Sequence, residues 1–483
     1  FNASIGGSDL RGSLDWDIDA ARPAIKIRLT SRHLDIDDMG LDESSPDSEQ
    51  PESEAPTLDE FLDNPLDPTY FSVVDLDIQV QVGRLEGLSE PVKDIALRVY
   101  ANDKDIRLKP STATLAEGRI EAEAVLPWGK RIEALEPDGL SVRTLLKHLQ
   151  MTLRAGGADA RTLYSDTVME RPLALSLSSV EASVQPGVPV TLNAAAAINE
   201  QPVSLQLQAE PLAELVRQPL GPWNGLVFRL RGEGMQMDAS GSVARPLEAG
   251  GFDIGYAFSG DDLYALLPLR GAYSLSGRYR DEPGRHLLDD LQVRLGASDI
   301  NGRIAVHQDG AGPRVVARLA SRRLRLDQLL APGSRQGSGT TDLDQPLQLG
   351  GLADKGLDVE VRVGRIEGLD LAVQDVVLTA RSRGQDLILE PMRATVDGTQ
   401  LDVRAQLPWG GRLARLDRQG LSLSRLLAQA DLNLQARLPK GKVRHQTEML
   451  DNNFALELAG VDASVLPGDV VKITAKAELG DKP

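Results

Sequence analysis

The stretch "LDIQVQVGRLEGL", residues 76–88, returns almost unchanged as "LDVEVRVGRIEGL", residues 357–369. In both copies apolar residues alternate with polar ones, which predicts a β-strand with one apolar and one polar face. The spacing of 281 residues is kept by "LPWG" at 126 and 407 and continues without a gap to about residue 198. An inserted residue would turn a strand's apolar set to the other face, so constant spacing predicts two copies of one sheet in phase.

A second pair of matching stretches precedes each copy. Residues 8–37 resemble residues 298–327, here with a spacing of 290 residues. The nine-residue difference between the two spacings falls between residues 37 and 76, where the sequence is strongly acidic. The chain therefore reads as the end of one long unit followed by most of a second.

The composition suits many similar strands better than a compact enzyme core. Of the 483 residues, 41% are hydrophobic but only 4% are aromatic. Such a core is built from Val, Leu, Ile and Ala, of which the β-branched Val and Ile favour strands. The chain has no cysteine, so it forms no disulfide and no thiolate metal site.

The net charge of −18 is concentrated in one segment. Between residues 33 and 83 there is no Lys or Arg, and removing the 15 acids there from the total of 71 leaves 56 against 53 basic residues. Its low apolar content predicts a solvated, flexible acidic insert at residues 41–68. A calcium loop is the alternative, but the acids lack the alternating pattern with a central Gly.

The sequence predicts a mainly β fold, an elongated and curled antiparallel β-sheet groove built from repeated units with short helices at the turns. Helical patterns are short and begin at residues 141, 211 and 261. The predicted segments are the end of a first β unit (1–40), the acidic insert (41–68), groove copy 1 (69–200), a β segment with the second copy of the 8–37 motif (201–330), a flexible linker (331–350) and groove copy 2 (351–483).

No catalytic, metal or cofactor motif stands out. The five histidines have no ligand spacing, and nucleophile elbows, phosphate loops and dinucleotide fingerprints are absent from the sequence. A nearly neutral body lacks the basic patch that nucleic-acid binding needs. Trp128 and Trp409 read as fold corners rather than ligand contacts, and the Ser-Asp pairs at residues 8 and 298 read as turns. We therefore expect no enzyme and no cofactor.

The remaining candidate site is the apolar phase of the strands. It fits either a closed sandwich core or an open groove for hydrocarbon, and periodicity does not separate the two. The candidate lining residues are Leu76, Ile78, Val80, Val82, Ile95, Leu97, Leu173, Leu175, Leu177, Phe252, Ile254, Tyr256, Phe258, Leu357, Val359, Val361, Val363, Val376, Leu378, Phe454, Leu456 and Leu458.

Three stretches carry a family resemblance. "GSDLRGSLDWDIDAARPAIKIRLTSRHLDIDD" (7–38), "FSGDDLYALLPLRGAYSLSGRYRD" (258–281) and "LLDDLQVRLGASDINGRI" (287–304) resemble the carboxy-terminal signature of AsmA-family proteins. That family, with the related TamB and YhdP proteins, implies a periplasmic, inner-membrane-anchored protein made of β-groove units. The implied role is to carry phospholipid between the inner and outer membranes.

On this resemblance the expected partners are phospholipid acyl chains and both membranes, with an envelope protein as a further candidate and no nucleic acid. The membrane anchor is expected upstream of Phe1, outside this sequence. The competing function is a non-conducting scaffold that assists envelope assembly through strand addition at sheet edges.

Overall fold

The computed structural model describes residues 1–19, 22–39, 57–67, 73–88, 90–115, 118–135, 140–164, 173–261, 271–309, 312–326, 355–369, 371–417, 420–438, 442–445, 454–467 and 471–480. The chain forms two compact units, the first of residues 1–166 and 171–250 and the second of residues 167–170 and 251–483. Both units consist largely of strands, which confirms the prediction of a mainly β fold.

Alternating sequences produce the strands of the first unit. These are β1 (Asn2–Ile5), β2 (Ser8–Asp17), β3 (Ala24–Ser31), β4 (Leu34–Asp35), β5 (Pro65–Leu66), β6 (Asp75–Glu86), β7 (Val92–Ala101), β8 (Asp105–Leu115), β9 (Gly118–Pro127), β10 (Leu140–Ser141), β11 (Gln150–Tyr164), β12 (Leu173–Gln185), β13 (Val188–Ile198), β14 (Gln201–Pro211), β15 (Trp223–Gly232) and β16 (Met235–Arg245).

The second unit repeats this construction. Its strands are β17 (Gly250–Gly260), β18 (Tyr273–Glu282), β19 (Arg285–Leu295), β20 (Ser298–Asp309), β21 (Gly312–Arg325), β22 (Gly356–Glu367), β23 (Val373–Arg383), β24 (Asp386–Val396), β25 (Thr399–Pro408), β26 (Asp431–Arg437), β27 (Lys442–His445), β28 (Phe454–Val465) and β29 (Lys472–Gly480).

In each unit nearly every long strand pairs with the next one in the chain, and the pairing is antiparallel except at one place. In the first unit β3 and the short β4 run parallel to β6, and in the second β21 runs parallel to β22. The prediction of an antiparallel sheet is therefore wrong at these two strand pairings, and the sheets are mixed. We call the β3–β6 and β21–β22 pairings the parallel joints of copy 1 and copy 2. Parallel neighbours need a long crossover, and the acidic insert and the 331–350 linker supply it.

The two copies have the same strand structure. β6 and β22 each contain 12 residues with the same succession of partly exposed, buried and exposed positions. Val82 and its counterpart Val363 are both 5% exposed. The constant spacing seen in the sequence thus corresponds to one strand register used twice.

Short helices lie between the strands. They are α1 (Leu58–Asp63), α2 (Lys130–Leu135), α3 (Val142–Lys147), α4 (Leu212–Arg217), α5 (Gly411–Asp417) and α6 (Leu423–Leu427), with 3-10 turns at Asp37–Met39 and Pro246–Glu248. Matching hydroxyls start two of them, since Ser141 and Ser422 each accept a hydrogen bond from the backbone amide three residues on. The helical pattern that begins at residue 261 lies mostly outside the described residues.

Part of the predicted acidic insert is folded. Residues 57–67 contain α1 and β5, and β5 pairs with β10. Leu62 is 5% exposed, and the Arg143 guanidinium bonds the carboxylates of Asp59 at 2.7 Å and Asp63 at 2.6 Å. Two acids of the insert therefore fix α1 onto α3, while residues 40–56 lie outside the described residues.

The folded residues 57–67 and the acidic residues before them are expected to differ in their effect on stability. Deleting residues 42–55, which keeps Thr57 as the cap of α1, is expected to leave the thermal unfolding midpoint unchanged. Leu62→Ala, in contrast, should cost about 2–4 kcal/mol, because it removes a buried side chain. Circular dichroism melts of both variants test this. A deletion that unfolds the chain would show that the acidic residues pack as part of the fold.

The glycine of the repeated "VGR" motif allows the parallel strands to approach closely. A Cβ on Gly364 would lie 2.9 Å from the carbonyl oxygen of Arg322, and one on Gly83 would lie 2.8 Å from that of Arg32. Such a contact with backbone cannot relax by a side-chain rotation. The motif is therefore a requirement of the parallel joint.

Gly364→Ala is accordingly expected to lower the free energy of unfolding by about 1–3 kcal/mol. The matched control is Gly411→Ala at the start of α5, where an added Cβ meets no atom within 4 Å. Alanine is the better helix former, so the control should not lose stability. Urea titration of both variants measures the difference, and equal stability of the two would contradict the close approach.

Candidate functional site

Each unit has an apolar sheet face on which side chains line up from strand to strand. In the first unit one row crosses eight strands and contains Leu14, Ile27, Ile78, Val99, Leu108, Ala124, Met151 and Val184. In the second unit a similar row, displaced by two residues from the repeat equivalents of the first, contains Leu319, Val361, Leu378, Met392, Val403, Leu434, Ala463 and Ile473. At about 4.8 Å per strand, each row is about 34 Å long.

The opposite sheet face is charged. In the second unit a carboxylate oxygen of Asp358 on β22 lies 3.0 Å from Arg318 on β21 and 3.4 Å from Arg381 on β23. Burial raises the pKa of Asp358, but the attraction of the two arginines outweighs it and holds that pKa below its ordinary value. In the first unit Arg98 pairs with Asp77 at 3.5 Å across β6 and β7. Hydrocarbon would thus be accommodated on the apolar face alone.

The apolar faces are partly exposed. Among the described residues, the main backbone contacts of the strands are with hydrogen-bonded neighbours in the same sheet. Along β6, the side chains of Leu76, Ile78 and Val80 are partly exposed, and Val82 is buried. Partly exposed aliphatic side chains favour the open groove over the closed sandwich along this strand.

The structure brings the candidate residues of β6, β7, β22 and β23 together on these faces. The facing pairs are Leu76 with Ala101, Ile78 with Val99, Val80 with Leu97, Val82 with Ile95, Val359 with Ala380, Val361 with Leu378 and Val363 with Val376. On β17 the candidates Phe252, Ile254, Tyr256 and Phe258 are all partly exposed.

The remaining candidates are only partly described. Leu177 is opposite Ala196, and the backbone of Leu175 is opposite that of Ile198. Leu173 and Leu175 lie in β12, and Phe454, Leu456 and Leu458 lie in β28, but the side chains of these five are outside the described part of the chain. The lining role of the whole candidate set stays a prediction.

Two candidates in copy 2 lie under a helical cover. Leu357 and Val359 pack against a buried cluster formed by Ala380, Leu387, Trp409, Leu413, Leu421 and Leu426, to which α5 and α6 contribute. Trp409 is 5% exposed, and its indole N–H donates to the carbonyl oxygen of Lys355 at 2.9 Å. Trp409 is thus a fold corner, and the free part of the face begins beyond Val359.

The parallel joints contain functional geometry that sequence reasoning missed. Asp9 accepts hydrogen bonds from the amides of Arg32 and His33 at 2.9 and 3.0 Å and from the Arg32 guanidinium at 3.1 Å. The His33 amide and then the Arg32 guanidinium hold the pKa of Asp9 well below its ordinary value. Ser8 Oγ accepts from the Asp35 amide at 2.9 Å.

Copy 2 repeats these bonds with Asp299 and Ser298. Asp299 accepts from the amides of Arg322 and Arg323 at 3.1 and 2.9 Å, and Ser298 Oγ accepts from the Arg325 amide at 2.9 Å. Burial raises the pKa of Asp299, but these hydrogen bonds outweigh it and lower that pKa. The Ser-Asp pairs open β2 and β20 and hold the chain where it leaves β3 and β21, so the reading as turns is wrong. The recurrence of the Ser-Asp pair in both copies was the sequence signal that could have identified these hydrogen bonds.

In copy 1, three side chains of the kinds that can bind a metal ion lie close together. Atoms of His33, Asp35 and Glu86 lie within 4.8 Å of one another, and all three residues are partly exposed. His33 Nε2 is 3.5 Å from a Glu86 oxygen. Clusters of acidic groups near the surface are common without a metal, so this cluster alone does not indicate a metal site. In the described part of the chain no helix is both long and apolar enough to cross a membrane.

Each unit contains a sheet with one apolar and one charged face and one place where neighbouring strands run parallel. The model of the AsmA family matches residues 1–134, which supports an AsmA-like protein and is consistent with a relation to TamB and YhdP. The match includes the first resembling stretch and not those at 258–304. Neither the curated proteins nor the solved structures contain a match. The family supports an envelope-related function in general terms.

Proposed function

We propose that this chain carries phospholipids between the inner and outer membranes, with their acyl chains on the apolar sheet face. The observation that carries the proposal is the unbroken apolar row across eight strands of each unit. An acyl chain spans about half of a 30 Å hydrocarbon core, so one row of about 34 Å exceeds its length. The headgroup would stay in water beside the strand ends.

The burial energy favours movement of an acyl chain along the row over tight binding at one position. Burial of a chain of about 16 methylenes contributes roughly 13 kcal/mol at ~0.8 kcal/mol each. Because neighbouring positions in a row are similar aliphatic residues, this energy changes little from one strand to the next. The second unit offers a row of the same kind, so an acyl chain would gain a similar burial energy on either unit.

The proposal is a physical transfer without catalysis. The partners are the phospholipid acyl chains and the two membranes, with an envelope protein as a possible further partner. As part of the same proposal the chain acts in the periplasm, attached to the inner membrane. These elements rest on the AsmA match and on the apolar faces together.

The test is to extract the gently purified chain with organic solvent and identify lipids by mass spectrometry. A parallel assay measures uptake of fluorescent phospholipid from vesicles. We expect phospholipid in the extract and uptake that saturates. A folded chain that holds no phospholipid and takes up none would contradict the proposal, and binding of an envelope protein by that same lipid-free chain would favour the scaffold.

A further inference from the structure

The parallel joint of copy 2 contains an arginine-lined cleft. It lies where β21 leaves the β19–β20 hairpin and meets β22, and its volume is 680 Å³. Four guanidinium-bearing residues line it: Arg294, Arg322, Arg323 and Arg365. All four are exposed, so their side chains are accessible to a ligand from solvent.

The charges of this cleft are only partly neutralised. Arg322 pairs with Asp299 at 3.0 Å, and Arg323 pairs with Glu367 at 3.4 Å. For the side chains of Arg294 and Arg365, the described residues provide neither a hydrogen bond nor an ion pair. Asp299 also lines the cleft but is paired with Arg322, so the guanidinium groups of Arg294 and Arg365 leave a net positive charge that attracts an anion.

A buried hydroxyl next to the cleft also lacks a partner. Ser321 is 8% exposed, and its Oγ makes no hydrogen bond among the described residues. It lines a second cavity of 290 Å³, which shares Arg322 and Gly364 with the arginine cleft and reaches Val363 and Val376 of the apolar face. A buried polar group without a partner costs free energy, so a ligand that accepts a hydrogen bond from the Ser321 hydroxyl would be stabilised there.

Copy 1 provides an internal comparison. The residues at the four matching positions are Ser4, Arg32, His33 and Arg84, which carry two positive charges against four in copy 2. Arg84 is already paired with Glu86, at 2.5 Å. The hydroxyl equivalent to Ser321 is that of Ser31, and it is 3.4 Å from Asp9 Oδ1. The two joints share a backbone, but only the second combines free guanidinium groups with a free hydroxyl.

We propose that the joint of copy 2 binds the phosphate group of a phospholipid headgroup through Arg294 and Arg365, with the Ser321 hydroxyl of the adjoining cavity as a further donor to the headgroup. Guanidinium groups bind phosphate oxygens in pairs, which favours phosphate over chloride or carboxylate of lower charge. The cleft is at the ends of β19, β21 and β22, next to Val363, where a headgroup would emerge if its tails lay on the apolar face. For the lipid as the source of the phosphate, the inference rests on the proposed function.

The experiment compares the full chain with Arg294→Gln/Arg365→Gln and with Ser321→Ala. The control is Arg84→Gln, the same change at the matching position of copy 1. Calorimetric titration with inorganic phosphate and with glycerol 3-phosphate measures the site itself. Extraction and mass spectrometry of bound phospholipid measure the source, and thermal melts establish that each variant folds.

We expect the double variant to lose at least about tenfold in phosphate affinity, because two charge-assisted contacts are removed. Ser321→Ala should lose severalfold without any fall in the unfolding midpoint, since it removes an unsatisfied hydroxyl. Arg84→Gln should bind as the unmodified chain does. Unchanged affinity in both joint variants, or an equal loss in the control, would overturn the site.

The lipid measurement distinguishes the phosphate site from the lipid-carrying function. Less phospholipid in the double variant than in the control supports a headgroup at the site. Lost phosphate affinity with unchanged lipid content would keep the site but overturn the headgroup as its ligand, leaving a soluble phosphate ester. Arginine-dependent phosphate binding by a chain that never holds lipid would keep the site and overturn the lipid-carrying function.

Discussion

Val361→Asp is expected to reduce phospholipid uptake at least tenfold while the chain stays folded. Val361 is partly exposed and is the second residue of its apolar row, between Leu319 and Leu378. A carboxylate there would remain hydrated in the empty protein, but it would have to lose water when an acyl chain passed, which costs several kcal/mol. Fluorescent lipid uptake beside a thermal melt measures both effects.

The control for this variant is Arg362→Gln on the charged face of the same strand. The side chain of Arg362 is 68% exposed and pairs with Glu360 at 2.5 Å, so its loss should change both uptake and stability little. A folded Val361→Asp chain with full uptake would show that lipid does not pass this position. An unfolded one would show that Val361 is sealed in a core.

Leu413→Ala is expected to lower the free energy of unfolding of its unit by about 3–5 kcal/mol. Leu413 is 1% exposed at the centre of the cluster under α5 and α6, so truncation leaves a cavity and weakens the cover over Leu357 and Val359. Urea unfolding followed by Trp fluorescence measures the loss, because Trp409 belongs to the same cluster.

Arg415→Ala serves as the control, since it changes the same helix at an exposed position and should cost less than about 1 kcal/mol. Ile132, the matching residue in α2, is 4% exposed, and Ile132→Ala tests whether copy 1 depends on its helices in the same way. A loss below 1 kcal/mol for Leu413→Ala would mean that the neighbouring helices collapse into the vacated space.

The one-sided strands were predictable because a period of two is a local property. Val80 and Val361 lie on the apolar face as the alternation indicated, and the constant spacing correctly implied equal registers. Parallel pairing was not predictable, since it depends on where the chain returns after a crossover and not on the strand itself. The contact of Arg143 with Asp59 joins positions 84 residues apart and leaves no local pattern.

The joint site was visible only in part. The repeated Ser-Asp pairs could be found from their two copies, but their hydrogen bonds depend on Arg32, just after β3, and on Arg322 in β21. The arginines of the second joint come from three strands, and their shared cleft requires the parallel register. Alignment of the copies would show the substitution of Ser4 by Arg294, although not what that arginine faces.

The contrast between the two sheet faces has a consequence for how this protein must be handled and stored. A row of partly exposed aliphatic side chains is a surface on which chains aggregate when nothing occupies it. The charged face disfavours association between chains through that face, but the apolar face has no such protection. Stripping lipid with detergent should therefore lower the concentration at which the chain precipitates, and adding short-chain phospholipid should restore it.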